Sequence, residues 1–260
     1  MSQYKTVAVE RRGAVAVVSL NRPDVLNAFN SALRRELLSA VEEINNDAGI
    51  RVAVLTGAGR SFSAGADLGE TLGPDANVVD QLNNEYKPIL MAITDAPQPW
   101  VSAVNGAAAG VGSAFAMCCD LSVMAEDAYI YQAFTAISLI PDGGATWHLV
   151  HTLGHKRAYE MIVSGEKVRA QKCLDLGLCN RVVAADALLS EALSWAEELA
   201  AKAPLSLRYA KQALNEAMVN SVADTISNEA KLQHICINSE DAREGVTAFM
   251  QKRAPQWKGC

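Results

Sequence analysis

The stretch from Asn105 to Thr146 constrains the fold most, because it joins a run of small residues to an isolated carboxylate. It reads NGAAAGVGSAFAMCCDLSVMAEDAYIYQAFTAISLIPDGGAT. Small residues are needed where one backbone closely approaches another, and at a helix start they leave N–H groups that can hold a developing oxyanion. The Pro-Asp-Gly-Gly turn near its end presents Asp142, whose carboxylate can move a proton.

Apolar periodicity predicts a mixed α/β chain. Nearly continuous apolar runs indicate buried strands, which read RVAVLTG, WVSAVNG and DLSVMAE. A hairpin is predicted around Arg11-Arg12-Gly13, and helices are predicted for SALRRELLSAVEEINND, for 78–94 and for GAAAGVGSAFAMCC. The first of these helices carries an apolar face made of Leu33, Leu37, Leu38, Val41 and Ile44. From Asp186 onward the pattern is helical throughout, so we expect an α/β core with a helical C-terminal region and no internal sequence repeat.

Composition excludes several classes of protein. The 260 residues carry a formal net charge of −6 and no run of Lys or Arg, which argues against a nucleic-acid partner. No apolar run reaches the roughly 18 residues of a membrane span, and the first residues, MSQYKTVAVE, lack the features of a secretory signal. The six cysteines match no zinc pattern, and we interpret them as reduced packing residues. These features predict a cytoplasmic protein with no membrane association.

Motifs for metals, nucleotides and serine hydrolysis are incomplete. His148, His151 and His155 share one helical face, but no Asp or Glu flanks them at ligand spacing, so we expect no metal site. The G-x-G after RVAVLTG has Phe62 where a dinucleotide fingerprint needs a third glycine, and no Lys-Ser or Lys-Thr supplies a phosphate loop. The sequence contains no G-x-S-x-G elbow.

Two small-residue loops, SAGADL and GAAAGVGS, each follow a predicted buried strand. Each loop has two interpretations, a close-packed turn or a place where backbone meets a ligand, and the presence of both loops strengthens the second. Asp142 has two interpretations as well. It can complete the turn and cap the helix that begins near Gly144, or it can serve as an acid/base.

Motifs spread over almost the whole chain resemble those of the enoyl-CoA hydratase/isomerase (crotonase) superfamily. In order, they are NRPDVLNAFN, FSAGADL, VNGAAAGVGSAFAMCCDL, SLIPDGGAT, GLCNRVV and REGVTAFMQKRAPQW. The resemblance implies an α/β spiral of β-β-α turns with the acyl-CoA site over residues 1–200, and a C-terminal helical trimerisation region over residues 201–260. It also implies a homotrimer or a dimer of trimers and an acyl-CoA thioester substrate, with no cofactor beyond the CoA of that substrate.

The same resemblance assigns the site residues. It implies an oxyanion hole of two backbone N–H groups, from Ala66 and Val111, and it places Asp142 where isomerases of the superfamily carry their acid/base carboxylate. Because Val avoids positive φ, we expect Val111 at a helix N-terminus with negative φ. Substrate contacts are implied at Ala28, Ala64, Asp67, Leu68, Ala114 and Phe134, with Arg22 and Lys252 as candidate cations for the CoA phosphates.

Two positions depart from the pattern of the hydratases in this superfamily. Those hydratases carry two Glu residues that activate water, and this chain has Ala114 and Phe134 in their places. Neither side chain exchanges a proton, so we do not expect addition of water to an enoyl-CoA. The segment FTAISLIPDGGATWHL instead resembles the subgroup that includes ring-1,2-epoxyphenylacetyl-CoA isomerases. We therefore expect an acyl-CoA isomerase that uses Asp142. The alternatives are an acyl-CoA-binding homologue without catalysis, and another crotonase reaction such as thioester hydrolysis or decarboxylation.

Overall fold

The structure is a computed structural model that describes residues 4–70 and 77–260. In this part of the chain the strands are β1 (Val7–Arg12), β2 (Val15–Leu20), β3 (Val52–Gly57), β4 (Ser61–Ser63), β5 (Trp100–Val104), β6 (Ala107–Ala109), β7 (Leu121–Ala125), β8 (Tyr129–Tyr131), β9 (Lys167–Arg169) and β10 (Arg181–Val183). The α-helices are α1 (Ser31–Asn46), α2 (Val78–Gln81), α3 (Lys87–Thr94), α4 (Val111–Met117), α5 (Ala145–Leu153), α6 (His155–Ser164), α7 (Ala170–Asp175), α8 (Leu188–Ala200), α9 (Pro204–Ala217), α10 (Val222–Ile237) and α11 (Glu240–Gln251). A short π-helix at Leu82–Tyr86 joins α2 to α3, and short 3-10 helices lie at Pro23–Val25, Ala133–Ile137 and Ala185–Ala187.

Helix α1 begins where its sequence supplies a cap. The Asn30 side chain accepts a hydrogen bond from the Leu33 backbone N–H at 3.0 Å, which satisfies one of the unpaired donors of the first turn. The predicted apolar face is buried at Leu33, Leu37, Val41 and Ile44 and half-buried at Leu38. The helix therefore lies on the core as its periodicity predicts.

Two sheets organise the core, and in both the strands follow the order of the sequence. The six-stranded sheet has the order β1-β2-β3-β5-β7-β10, and the four-stranded sheet has the order β4-β6-β8-β9. Strands β2, β3, β5, β7 and β10 run parallel, and β3 and β5 are buried along their whole length. One unit recurs along the chain: a strand enters the large sheet, the next strand enters the small sheet, and a helical segment follows. This is the spiral of β-β-α turns that the resemblance implies.

The run GAAAGVGSAFAMCC is not the single helix that we expected. Residues Ala107–Ala109 form β6, which pairs with β4 and β8, and α4 begins only at Val111. Gly110 separates the two elements with φ 52° and ψ −133°, angles that glycine adopts more readily than any other residue.

Several short strands also differ from the sequence-based expectation. The segment GAGRSFSAGADLGETLGPDAN, over 57–77, is rich in Gly, Ser and Ala and predicts a loop, but it contains β4; residues 71–76 lie outside the described part of the chain. Strands β4, β8 and β9 have three residues each, which is too short for a hydrophobic period to appear in the sequence.

The C-terminal region is helical, as predicted, and a buried lysine holds it against the core. Lys211 on α9 is 8 % exposed, and its ammonium donates to the Ile93 carbonyl and to Asp120 at 2.8 Å each. A buried ammonium is tolerated when partners of this kind replace its water. These contacts join α9 to the end of α3 and to the residue that precedes β7.

The six cysteines are free thiols in the structure. Cys118, Cys173 and Cys179 are buried, as expected of packing residues, and Cys119 and Cys236 are partly buried. Cys260 is exposed, so its interpretation as a packing residue is wrong.

Candidate active site

The first expected oxyanion donor, Ala66, lies in an extended segment that follows β4. Phe29 pairs with one side of this segment: its N–H donates to the Gly65 carbonyl at 2.8 Å, and its carbonyl accepts from the Asp67 N–H at 3.0 Å. Because successive peptide groups of an extended chain point in opposite directions, the Ala66 N–H points away from Phe29. Ala66 is also exposed, so a ligand can reach this side of the segment.

The second expected donor, Val111, is the first residue of α4. Its N–H lies in the first helical turn, where no intrahelical acceptor exists, and the helix dipole adds partial positive charge at this end. Among the described residues, positive φ values occur outside glycine at four positions, and Val111 is not one of them. The expected negative φ at a helix N-terminus is therefore confirmed.

Glycines bring the Ala66 and Val111 segments together. A Cβ on Gly65 would lie 2.8 Å from the Ala109 carbonyl oxygen, and a Cβ on Gly110 would lie 3.7 Å from the Gly65 Cα. Gly65 precedes one expected donor and Gly110 precedes the other, so the two donors flank one backbone contact. Close packing explains the small residues, because the glycine before each expected donor lies against the backbone of the other segment.

Asp142 lies beside this contact, in the turn before α5. Its neighbour Gly143 is packed so closely that an added Cβ would lie 2.9 Å from a methyl group of Val111 and 3.0 Å from the Ala114 Cβ. One carboxylate oxygen of Asp142, Oδ1, is buried and has no hydrogen-bond partner in the described structure. The N-cap of α5 is Gly144, with no side-chain cap, so helix capping does not account for the Asp142 side chain.

Burial sets the acidity of Asp142. Desolvation raises the pKa of its carboxyl group to about 6, and a hydrogen bond with its own backbone offsets part of this rise. A carboxylate with a pKa near 6 is suited to exchange protons near neutral pH. The site therefore combines a proton acceptor with N–H donors that can stabilise an oxyanion, which suits proton abstraction next to a carbonyl group.

Hydrocarbon side chains pack against the glycines of this contact. Ala114 has no exposed surface, and Phe134 is buried with its Cζ 3.8 Å from the position of a Cβ on Gly110. A methyl group of Leu90, on α3, would lie 3.4 Å from a Cβ on Gly143. These three side chains neither donate nor accept protons.

Comparisons with known proteins agree with this geometry. A sequence model of the family described as Enoyl-CoA hydratase/isomerase matches residues 10–260. The chain belongs to this family. It is an acyl-CoA-processing enzyme of the crotonase superfamily, and its parallel sheets and C-terminal helices match solved crotonase-type structures.

Some relatives of this chain are named hydratases, and another is named an isomerase. A probable enoyl-CoA hydratase of Rhodobacter capsulatus is 38 % identical, over 98 % of this chain and 99 % of its own length. The 1,2-epoxyphenylacetyl-CoA isomerase of Escherichia coli is 35 % identical, over 94 % of this chain and 95 % of its own. The crystal structure of an enoyl-CoA hydratase from Bacillus anthracis matches with a TM-score of 0.94 at 32 % identity, over 98 % of this chain and 100 % of that one.

Arg22 and Asp67, two residues that we expected to contact the substrate, contact each other instead. Arg22 and Asp67 form an ion pair at 2.8 Å, and a second hydrogen bond from Arg22 reaches the Ala28 carbonyl at 2.6 Å. The hydrogen bond from Arg22 holds the pKa of the Asp67 carboxyl below its usual value. This pair fixes the segment that follows Ala66 against the NRPD loop, so Arg22 is partly engaged within the chain.

The remaining residues expected to contact the substrate differ in exposure and in position along the chain. Ala64 and Leu68 are exposed like Ala66, two positions to either side of it, and Leu68 is 79 % exposed. Ala28 is buried. Lys252 is exposed at the end of α11, far along the chain, and its phosphate contact stays a prediction.

His148 and His151 lie on α5, whereas His155 is the first residue of α6, so the three histidines do not share one helical face. His151 Nδ1 lies 2.8 Å from the Trp147 carbonyl, and the His155 ring stacks on Tyr159. Burial lowers the pKa of His148 to about 4. In the described residues no group of three or more His, Cys, Asp or Glu side chains gathers as metal ligands, and no helix is long and apolar enough to cross a bilayer.

Sequence reasoning missed a buried charge cluster next to the Ala66 segment. Arg34 on α1 is 3 % exposed and forms ion pairs with Glu70 and Glu85 at 2.7 Å each. Its guanidinium lies 5.0 Å from the centre of the Tyr86 ring. Burial raises the pKa of Tyr86 to about 12, and the charge of Asp142 contributes to this rise, so Tyr86 is a neutral phenol near the site. The one available signal was the position of Arg34 beside the apolar face of α1.

Proposed function

We propose that this chain is an acyl-CoA isomerase that uses Asp142 as its acid/base group. The reaction moves a double bond from the 3-position to the 2-position of an enoyl-CoA, or rearranges a ring epoxide next to the thioester. The observation that carries the proposal is the buried, unpartnered Asp142 Oδ1 in a turn packed against the start of α4. That placement brings a proton acceptor to the same helix end that carries the Val111 N–H.

The proposed mechanism needs one carboxylate and two N–H groups. For a 3-enoyl-CoA, Asp142 takes a proton from C2, and the electron pair moves onto the thioester carbonyl oxygen. The N–H groups of Ala66 and Val111 stabilise the resulting enolate, and loss of one such donor typically costs about 10²–10³ in kcat. Protonated Asp142 then returns its proton at C4, and the double bond forms between C2 and C3. The mechanism uses no cofactor beyond the CoA of the substrate.

Hydration is the competing function, because the Rhodobacter capsulatus relative is named a probable hydratase. In this chain the two family positions that activate water hold Ala114 and Phe134, which are buried hydrocarbon side chains. Asp142 alone would have to activate water and also protonate C2. The Escherichia coli relative named 1,2-epoxyphenylacetyl-CoA isomerase supports isomerisation instead.

We also propose that residues 1–200 bind the acyl-CoA and that residues 201–260 assemble a homotrimer or a dimer of trimers. Large apolar side chains are exposed on α10 and α11, among them Ile226, Ile237, Val246, Phe249 and Met250. A monomer seldom leaves so many apolar side chains in water. In such an assembly Lys252 is a candidate to reach the CoA of a neighbouring subunit.

A panel of acyl-CoA substrates tests the isomerase proposal. We would incubate the enzyme with 3-enoyl-CoA, 2-enoyl-CoA and ring-epoxide acyl-CoA esters and analyse the products by mass spectrometry and NMR. Isomerisation leaves the mass unchanged, hydration adds one water, and hydrolysis releases free CoA. We expect a product of unchanged mass from a 3-enoyl or epoxide substrate, and hydration or hydrolysis products alone would contradict the proposal.

The variant Asp142→Asn tests the assigned residue. Asn keeps the shape of the side chain but does not take up a proton, so we expect loss of isomerisation with retained acyl-CoA binding, measured by calorimetry. Asp127→Asn, at an exposed Asp between β7 and β8, is the matched control and should keep full activity. Wild-type binding without any turnover on the panel would favour a non-catalytic acyl-CoA-binding protein.

A further inference from the structure

Two fully buried polar side chains lie behind the N-terminus of α4. Gln132 follows β8, and Ser113 lies in the first turn of α4; neither has exposed surface. The Gln132 Nε2 donates to Ser113 Oγ at 2.9 Å, and Ser113 Oγ donates to the Gly110 carbonyl oxygen at 2.7 Å. The two bonds form a short chain that ends on the backbone just before Val111.

The direction of this chain follows from the chemistry of a hydroxyl group. Ser113 Oγ has one hydrogen and two lone pairs. Because it accepts from the Gln132 amide, its hydrogen is available for the Gly110 carbonyl. The same carbonyl oxygen also accepts the Ser113 backbone N–H at 3.0 Å, so two donors hold it.

The Gly110 carbonyl and the Val111 N–H belong to one peptide group. That group is planar, so an orientation imposed on the carbonyl is imposed on the N–H as well. Gly110 needs such restraint, because glycine has the greatest backbone freedom and its φ of 52° and ψ of −133° are only one of the conformations open to it. Its own N–H is held too, by the Tyr131 carbonyl at 3.0 Å. Hydrogen bonds to the carbonyl also polarise the peptide and make its N–H a better donor.

We propose that Ser113 and Gln132 are positioning residues that aim and polarise the Val111 N–H toward the thioester oxygen. This inference rests on the proposed function, in which the Val111 N–H is an oxyanion donor. Neither side chain touches the substrate in this scheme. Both act through the Gly110–Val111 peptide group.

The unsatisfied end of Gln132 argues against a purely structural role. Its Oε1 is buried and has no hydrogen-bond partner in the described structure. A buried, unpaired amide oxygen lowers stability, and an apolar side chain of the same size avoids this cost. The hydrogen bond from Gln132 Nε2 to Ser113 Oγ therefore explains why this position holds a polar residue.

Substitution and a double-mutant cycle test the chain of hydrogen bonds. The variants are Ser113→Ala, Gln132→Met and the double variant; Ser102→Ala, at a buried serine on β5 that bonds Leu121, is the matched control. We expect Ser113→Ala to lower kcat by about tenfold with KM little changed, a fraction of the effect of losing a whole donor. Because Gln132 acts through Ser113, adding Gln132→Met to Ser113→Ala should lower kcat no further. Independent, multiplying effects of the two substitutions on kcat would overturn the proposal.

A spectroscopic measurement separates positioning from loss of structure. The probe is crotonyl-CoA labelled with ¹³C at the thioester carbonyl, whose stretching frequency falls when N–H donors polarise it. We expect a downshift on wild-type enzyme and on Ser102→Ala, and a smaller downshift on Ser113→Ala and Gln132→Met. A wild-type downshift that both variants retain in full would overturn the positioning role alone. No downshift on wild-type enzyme would overturn the oxyanion hole and this inference with it. If Ser113→Ala does not fold, Gln132→Met carries the same test, because it removes an unsatisfied oxygen and should keep the wild-type thermal midpoint.

Discussion

At Asp142, burial shifts the proton equilibrium, and among the described residues no cation counters the rise in its pKa. The carboxyl group keeps one oxygen unpaired, and desolvation raises its pKa to about 6 from an ordinary value of 3.8. A raised pKa makes the carboxylate a stronger base once it is ionised. The same burial makes the ionised form costly for the fold, so activity and stability should respond to pH in opposite directions.

We predict that kcat/KM for a 3-enoyl-CoA rises with pH through a midpoint near 6 and is level above it. The free enzyme needs the ionised Asp142, whose pKa is raised to about 6. The measurement is a pH–rate profile between pH 4.5 and 8.5 in buffers of constant ionic strength. A profile that is flat across pH 5 to 7 would argue against Asp142 as the base.

We predict that Asp142→Asn stabilises the protein above pH 6 and has no such effect near pH 3.8. The folded-state pKa lies above the unfolded value, so the favourable contribution of Asp142 is present below pH 3.8 and is lost as pH rises through about 6. Asn carries no charge at any of these pH values. Thermal midpoints of wild type and variant, followed from pH 4 to 8, should therefore diverge as pH rises. Curves that stay parallel would show that Asp142 is well solvated.

We predict negligible hydration of crotonyl-CoA, because Ala114 and Phe134 replace the residues that would activate water. Turnover should stay below about 1 s⁻¹, against a typical enzyme median of about 10 s⁻¹. Loss of absorbance of the conjugated thioester measures the reaction directly. Turnover above about 1 s⁻¹, within tenfold of that median, would favour a hydratase instead.

Among the elements, the contact between the segment after β4 and the start of α4 has little tolerance for added volume. Gly65→Ala would put a Cβ 2.8 Å from the Ala109 carbonyl oxygen, at a φ of +95°. We predict a fall in kcat of about 10²-fold or more, because displacing a donor by a fraction of an ångström misplaces the reacting geometry. The matched control is Gly13→Ala, which has φ +62° but nothing within 4 Å of the added Cβ.

Both glycine variants should lose some stability to backbone strain, but only one should lose activity. Urea unfolding measures the first quantity and steady-state kinetics the second, under conditions where both variants are folded. Equal activity of the two variants would mean that the Gly65 contact does not set the geometry of the oxyanion hole.

The parts of the fold that sequence predicts are those that carry a long period or a family motif. Helix α1, strands β3, β5 and β7, and the C-terminal helices show such periods. The small sheet does not, because its strands have three residues and are held by pairing with distant segments. Motifs pointed to Ala66, Val111 and Asp142 because a motif marks residue types. They missed Arg34 and Gln132 because burial depends on contacts between distant parts of the chain.

For the whole molecule, the exposed apolar side chains of α10 and α11 require an explanation. Phe249 is 85 % exposed and Met250 is 77 % exposed. We predict that Phe249→Glu shifts the proposed trimer toward monomer, because it places a charge where a partner subunit should cover a ring. Sedimentation velocity at several concentrations measures the change. The control is Val79→Glu, at a 62 % exposed residue on α2, which should leave the assembly unchanged. A wild-type protein that is monomeric at micromolar concentration would contradict the proposed assembly.

The sequential order of strands in both sheets bears on how the chain folds as it is synthesised. Each of β3, β5 and β7 adds to an edge formed by a strand made earlier, and β6, β8 and β9 do the same in the small sheet. No strand in these series must wait for a later one to provide its neighbour. A chain emerging from the ribosome can therefore lengthen both sheets from one side without rearranging pairs already made. When Asp142 emerges, the segments around it that precede it in the sequence have already been synthesised. Only α5 and the later elements are still to come.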